Sequence, residues 1–507
     1  MPPAPTLVTG AMRSDAAAGR REPAALNRAL ALLVAGTFFM ENLDGTIIAT
    51  AAPAMASDLG VQPVDINLAM TAYLVTVAVA IPVSGWLADR FGGKRIFLIA
   101  IALFTLASAL CALSSTLEML SAFRVLQGLG GAMMVPVGRL VVLRTTEKRD
   151  LLDAIAYLTW PALVAPVIAP FLGGWLSTYA SWEWIFLVNI PLGVLALVTA
   201  IRVVPDVQGE QVGSLDWTGF VLCGVTLASL LLGMEQIGAA NASRWWAGGL
   251  LVLAAVAGGL TVWRMLTARH PLLDLHSLRV TTFRVGNASG MVYRMAISAA
   301  PFLLPLMFQL AFGWSAVDAG LMVMAVFAGN VLIKPVTSPL IRRFGFRTVI
   351  AGSAAGGVLM FAACAFLTPT TPLVVVAGVL FLSGVFRSIG FSGYNSLQFA
   401  DIPAEQMSGA NTLSSTIGQL AAGLGVAVGA LSLRLSAGVV DAIAPRLGVL
   451  GHYQMAFVVL ALLMLYPVLE ALFSLHRTAG GEVAGQTAPA GRDRSDTPDP
   501  QHAPVQD

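Results

Sequence analysis

Apolar residues in this chain neither alternate nor keep to one helical face. They come in long runs broken by short polar punctuation. About 20 mostly apolar residues let a helix cross hydrocarbon, and a helix satisfies its own backbone there. The pattern predicts fourteen spans, near 29–52, 66–87, 96–113, 120–143, 152–177, 184–203, 215–233, 246–267, 285–312, 319–341, 349–368, 373–396, 410–433 and 453–474. Barrel strands fit poorly, because the runs are too long and lack period two. The first run follows arginines and ends near Ala52-Pro53-Ala54, as a secretion signal does. It is too long for one and carries Glu41 and Asp44, so it reads as a retained helix.

Composition agrees. Of 507 residues, 57% are hydrophobic and 11% charged, whereas an ordinary soluble domain is about a quarter charged. A net charge of +2 gives no pointer to nucleic acid. Cys111, Cys223 and Cys364 each lie inside an apolar run, with no CxxC or zinc spacing, so neither a disulfide framework nor a metal site is expected. No phosphate loop exists, since Gly92-Gly93-Lys94-Arg95 fails at its last position. The five histidines are scattered, and neither HExxH nor GxSxG occurs, so a membrane enzyme lacks a visible catalytic set. Gly128-Leu-Gly-Gly131 lies inside a span and reads as helix packing rather than a dinucleotide loop.

Basic residues set the orientation. With the N-terminus inside, the inward loops hold Arg90, Lys94, Arg95, Arg144, Lys148, Arg149, Arg342, Arg343 and Arg347, among others. The outward loops hold Arg244, Arg434 and Arg446. Both termini are therefore expected to be cytoplasmic. The expected organisation is a disordered tail at 1–28, a six-helix bundle at 29–204, and two inserted spans within 205–267. A cytoplasmic amphipathic linker at 268–284, a second six-helix bundle at 285–474 and a disordered tail at 475–507 follow. A degraded repeat supports two halves: Leu87, Arg90, Phe91 and Gly92 recur 253 residues on as Leu340, Arg343, Phe344 and Gly345. Repeated halves are a transporter signature, with the substrate site at their interface.

Charges inside spans are costly and ask for a reason. Glu41 and Asp44 share a face of the first span at i, i+3, and Arg124 enters the fourth at similar depth, so Asp44 and Arg124 can pair. Burial opposes charge on a carboxylate and a guanidinium favours it. Asp44 is thus either a proton carrier governed by its cavity or half of a static ion pair. Arg294, Lys334 and Arg387 lie at comparable depth in the second half, where they either line one anion-attracting cavity or cap and snorkel at helix ends. Arg139 is a further charge within a span.

These residues resemble the major facilitator superfamily, specifically its 14-helix drug:proton antiporter branch. Leu43-Asp44-Gly45-Thr46-Ile47-Ile48 with Ala52-Pro53 is similar to the branch's LDxTIVNxALP stretch. Gly85, Asp89, Arg90, Gly92, Lys94 and Arg95 match the superfamily's loop motif, and Arg124 to Gly131 match its fourth-helix motif. Pro161, Pro166, Pro170, Gly173 and Gly174 resemble the fifth-helix antiporter motif, with Ala162, Ala165 and Ala169 where glycines are usual. Trp182 to Pro191 is close to WRWIFLINIP, and Gly131 to Arg139 resembles a bacterial multidrug-resistance subgroup.

The resemblance implies an all-α integral membrane protein with a major facilitator fold: two six-helix bundles plus two inserted helices, fourteen in all. It implies a transporter, not an enzyme, in the cell inner membrane, exchanging protons for a drug or small metabolite. Asp44, Glu41 and Arg124 would couple the proton, and Asp89 and Arg90 would help close the cytoplasmic gate. No cofactor is expected beyond a proton gradient, and the partners would be substrate, protons and lipid. The chain would act as a monomer, alone or with an efflux-system partner. Organic anions such as citrate or metal-citrate are the alternative cargo; a channel or membrane enzyme is the alternative class.

Overall fold

The computed structural model describes residues 28–206, 213–238, 244–269, 271–476 and 478–485. Among them every regular element is helical. The first half comprises α1 (Arg28–Leu59), α2 (Asn67–Phe91), α3 (Gly93–Ala112), α4 (Leu117–Thr145), α5 (Leu151–Tyr179), the short α6 (Trp184–Leu187) and α7 (Asn189–Val203). A hairpin follows, α8 (Trp217–Gly238) and α9 (Arg244–Thr267). The second half comprises α10 (Thr281–Leu306), α11 (Ala316–Leu332), α12 (Lys334–Ala365), α13 (Leu373–Ala400), α14 (Met407–Ile443), α15 (Gly448–Leu463) and α16 (Leu465–Ser474).

Thirteen of these stretches are long and apolar enough to cross a membrane, with the shorter Asp318–Leu332 beside them. The count differs from fourteen because the tenth span is interrupted at Ile333, just before Pro335, which has no N–H to continue a ladder. Its remainder runs into α12, which turns at Gly345 (φ 75°, ψ 162°). The first span continues through Pro53 to Leu59, past its expected end at 52, because a membrane helix tolerates the loss of one ladder bond. Asp44 is therefore nearer mid-helix than its predicted depth.

The repeat governs more than the loop motif. Gly92 (φ 90°) and Gly345 (φ 75°) are the corresponding positions, and both adopt the left-handed backbone that glycine alone visits freely. The same 253-residue offset carries the start of α1 onto that of α10, and the end of α3 onto that of α12. Packing repeats with it. In the first half α1 lies on α5 and α4 on both α2 and α3; in the second, α10 lies on α14 and α13 on both α11 and α12. The halves meet through α14 against α2 and α4, and through α5 against α11, α12 and α13.

The α8–α9 hairpin lies outside both bundles, against α2 and α14. It is closed on itself by Arg264, whose Nη2 lies 3.0 Å from Asp216. The linker near 268–284 forms a single 3₁₀ turn, Leu275–Arg279, with Leu273 buried, and α10 starts at Thr281 rather than 285. His270, residues 1–27 and residues 486–507 lie outside the described residues. Within the tail expected to be disordered, 478–485 instead forms turns with Val483 and Ala484 buried, because these small apolar side chains find cover on the second bundle.

Close helix approach is concentrated at α11 and α13. A Cβ on Gly384 would collide with the Val326 carbonyl, and one on Gly329 with the Phe381 carbonyl. Gly384→Leu is expected to destabilise the protein by about 1–3 kcal/mol through overpacking, read as a lowered thermal midpoint in detergent, with Gly378→Leu at an open position as control.

Candidate functional site

A cavity of about 290 Å³ lies between the halves and is lined by both. Glu41 comes from α1, Pro136 and Arg139 from α4, Arg294 from α10, Arg387, Phe391 and Asn395 from α13, and Ser414, Ser415 and Gln419 from α14. Arg294 Nη2 donates to Asn395 Oδ1 at 3.1 Å, and its guanidinium lies 5.8 Å from the Phe391 ring centre. Arg139 donates through Nε to Asn411 Oδ1 (2.7 Å) and through Nη2 to Ser415 Oγ (2.6 Å). One Nη1 of Arg294, one of Arg387 and Glu41 Oε2 are buried with no hydrogen-bond partner among the described residues. Three guanidinium groups and a single carboxylate thus face one small space. Glu41 and Arg294 stand at corresponding positions of the two halves, 253 residues apart, so the repeat places opposite charges across the cavity.

Behind Glu41, deeper in the first half, Asp44 and Arg124 are each 1% exposed and form an ion pair at 2.5 Å. The pair is closed by neutral donors. Gln127 Nε2 donates to Asp44 Oδ1 (2.9 Å) and to Ser108 Oγ (2.7 Å), and Asn189 Nδ2 also donates to Asp44 Oδ1 (2.9 Å). Arg124 Nη1 reaches Gln127 Oε1 at 2.6 Å, and the guanidinium lies 4.1 Å over the Tyr73 ring centre. Gly131 brings the two networks together, since a Cβ there would lie 3.2 Å from the Tyr73 hydroxyl and 3.8 Å from the Glu41 carboxyl carbon.

Lys334 does not share the cavity of Arg294 and Arg387. Its ammonium donates to Ser392 Oγ at 2.6 Å, and the residue lines a separate crevice beside α5. Equal depth alone groups the three cations, but helical rotation turns Lys334 to another side. Arg139 takes its place. In the sequence it shows only as a charge inside a span of the other half. Asn189 and Ser108, neutral residues in apolar runs, gave no comparable signal.

The loop motif lies at the basic end, where the halves are tightly joined. Gly85 packs directly on Thr412 and Ser408 of α14. Asp89 accepts from Arg144 Nη2 at 2.8 Å, and Arg342 from the second half reaches Asp153 of α5 at 3.0 Å. Asn411 Nδ2 donates to the Pro136 carbonyl across the same seam at 2.9 Å. Gly92 forms the turn into α3, Lys94 and Arg95 open that helix, and Arg90 is exposed. On α5, Gly173 meets Thr50 and Ile47 of α1, while Gly174 faces open space; Pro161 and Pro166 are half-buried, and Pro170 belongs to the same helix.

The family model described as Major Facilitator Superfamily matches residues 34–426 and, in a second overlapping match, 288–487. The chain is 39% identical over 409 residues to a Klebsiella pneumoniae (strain 342) protein named "Putative multidrug resistance protein MdtD", covering 80% of this chain and 85% of that one. The protein of the same name from Escherichia coli O6:H1 is 39% identical over 407 residues, with the same coverage. Among solved structures, the human organic anion transporter MFSD10 (TETRAN) superposes with a TM-score of 0.62 at 14% identity, covering 88% of this chain and 100% of that one. The proton:xylose symporter XylE gives 0.59 at 12% identity, covering 92% and 99%.

The buried network makes a graded prediction. Arg124→Leu strands the Asp44 carboxylate and is expected to cost about 3–5 kcal/mol. Asn189→Leu removes one donor of several and is expected to cost about 1–3 kcal/mol. Thermal unfolding of the purified variants in detergent checks both, and equal losses would remove the ion pair from its central place.

Proposed function

The chain belongs to the Major Facilitator Superfamily, whose members here are multi-pass membrane transporters rather than enzymes, and from that premise we propose a proton-coupled antiporter. It exports drugs or small metabolites across a bacterial cytoplasmic membrane by alternating access. The observation that carries this reading is the cavity between the halves, where Glu41 faces Arg139, Arg294 and Arg387 while the Asp44–Arg124 pair stands just behind. Acids on α1 and cations from both halves can trade partners as the halves rock, and that exchange couples a proton to a cargo.

In this arrangement Asp44 is bound by Arg124, Gln127 and Asn189. Rocking that separates Asp44 from Arg124 leaves a carboxylate in a poorly solvated site, where a proton replaces the lost cation. Glu41, nearer the cargo, senses whether the arginines are occupied. The basic end is read as cytoplasmic by the distribution of Lys and Arg, with both termini there. Its closure through Gly85, Arg139 and Arg342 then makes this an outward-directed state, with Asp89 held by Arg144 inside the first half. Arg90, Lys94 and Arg95 keep the gate on the anionic side of the membrane. The proline- and glycine-bearing α5 packs tightly on α1, so a leak beside the proton carriers is sealed. The chain needs no cofactor, and a proton gradient supplies the energy.

One observation favours a second cargo class. Three guanidinium groups against one carboxylate attract anions, so organic anions such as citrate or metal-citrate suit this cavity better than a lipophilic cation.

Two outcomes are expected. Asp44→Asn in everted vesicles abolishes substrate-induced proton release while the protein remains monodisperse; unchanged release would reject the carrier role. Arg294→Ala or Arg387→Ala lowers transport of a tricarboxylate by about 10–100-fold, the weight of one charge-assisted contact, while transport of a cationic dye falls far less. Equal losses in proteoliposomes driven by a pH gradient alone would discard the anion reading.

A further inference from the structure

The crevice that takes Lys334 has a different character from the central cavity. It measures about 430 Å³, lies at the basic end, and shares no lining residue with the space between the arginines. One wall belongs to the first half, with Arg28 opening α1 and Asp153, Tyr157 and Trp160 on α5; the other belongs to α12, with Lys334 and Ser338. Tyr157 and Trp160 are 39% and 49% exposed on the membrane-spanning α5, so the mouth opens sideways.

The charges in this crevice are not balanced. Lys334 is 4% exposed, and its ammonium meets the Ser392 hydroxyl rather than a carboxylate. Asp153, the acid in the wall, faces Arg342 at 3.0 Å. Neither Arg28 nor Lys334 forms an ion pair among the described residues. A cation kept at this depth without a counter-charge is expensive, which calls for an anion from outside the chain. Basic pockets between helices at headgroup level hold anionic lipid headgroups, and Trp and Tyr are the side chains that settle beside them.

We propose that the crevice between α5 and α12 seats the phosphodiester headgroup of an anionic phospholipid, with Arg28 and Lys334 donating to its oxygens and Tyr157 and Trp160 lying along the glycerol and upper acyl chain. A lateral mouth flanked by aromatics suits an amphiphile whose tail stays in the bilayer. The two cations belong to different halves, so the bound lipid bridges them and favours the arrangement in which the basic end is closed. This binding depends neither on the cargo nor on proton coupling.

The test uses the full-length protein, purified in mild detergent and given phosphatidylglycerol or phosphatidylcholine of identical acyl chains, with retained lipid read by native mass spectrometry. Preferential retention of phosphatidylglycerol is expected, falling about fivefold for each cation removed by Arg28→Gln or Lys334→Gln, with Lys334→Arg restoring it. Arg28→Gln alters an exposed residue at the start of a helix and so reads the site even if Lys334→Gln fails to fold. In nanodiscs, spin labels on the loop after α4 and at the exposed Phe344 should report a larger closed population with phosphatidylglycerol, an effect absent in Arg28→Gln. Equal retention of the two lipids, or retention indifferent to Arg28→Gln, overturns the proposal. Displacement of phosphatidylglycerol by millimolar inorganic phosphate alone also overturns it, by assigning the crevice to a soluble anion.

Discussion

A charge in hydrocarbon has to be answered by another group, and the Asp44–Arg124 pair is where this chain meets that demand most completely. The two charges would each be costly alone, and their mutual attraction offsets desolvation only because the geometry is tight and the remaining lone pairs are occupied. Ser108 of α3, Gln127 of α4 and Asn189 of α7 do that occupying. Four helices, α1, α3, α4 and α7, are thereby held by one polar knot in an otherwise apolar bundle. Among the described residues of the second half, no carboxylate pairs with Arg294. Arg294 there rests on Asn395, which is linked through Gln398 to Ser414, a chain of neutral groups.

That asymmetry is laid over a symmetric frame. One offset relates the two bundles, including the paired glycine turns at Gly92 and Gly345 and the helix pairs that pack in each half. Against this common scaffold, the first half neutralises Arg124 internally, whereas the second leaves guanidinium donors of Arg294 and Arg387 unpaired toward the shared cavity. Glu41 and Arg294, equivalent in the repeat and opposite in charge, bring the difference into a single space. A duplicated fold can hold such a site because the scaffold supplies position and only a few side chains supply sign.

Closure at one end follows from the same economy of polar contacts. Arg139 to Asn411 and Ser415, Asn411 to the Pro136 carbonyl, and Arg342 to Asp153 join the halves near the basic loops. The Arg139 and Arg342 contacts are only partly buried and can be broken and remade at modest cost, whereas the Asn411 bond to Pro136 is buried. The apolar contacts of α1 with α5 and α10 with α14 stay within halves and give rigid units.

Hydropathy is a local property, and for that reason the amino-acid sequence alone determined the approximate position of the spans, the two-half organisation and the family resemblance. The pairing of Asp44 with Arg124 is permitted by matching depth on helices one and four, but only the folded chain shows it. Other features needed the folded chain. Depth along a helix says nothing about rotation around it, so equal depth groups Lys334 with Arg294 and Arg387, although its ammonium turns away from their cavity to Ser392 of α13. Arg139, in the other half, was passed over although it lines the same cavity. Neutral donors such as Asn189 and Ser108 leave no mark in an apolar run, and the break at Ile333 depends on how α11 packs as much as on Pro335. Which charges share a space is decided by lateral packing of helices far apart in the chain, and that information exists only in three dimensions.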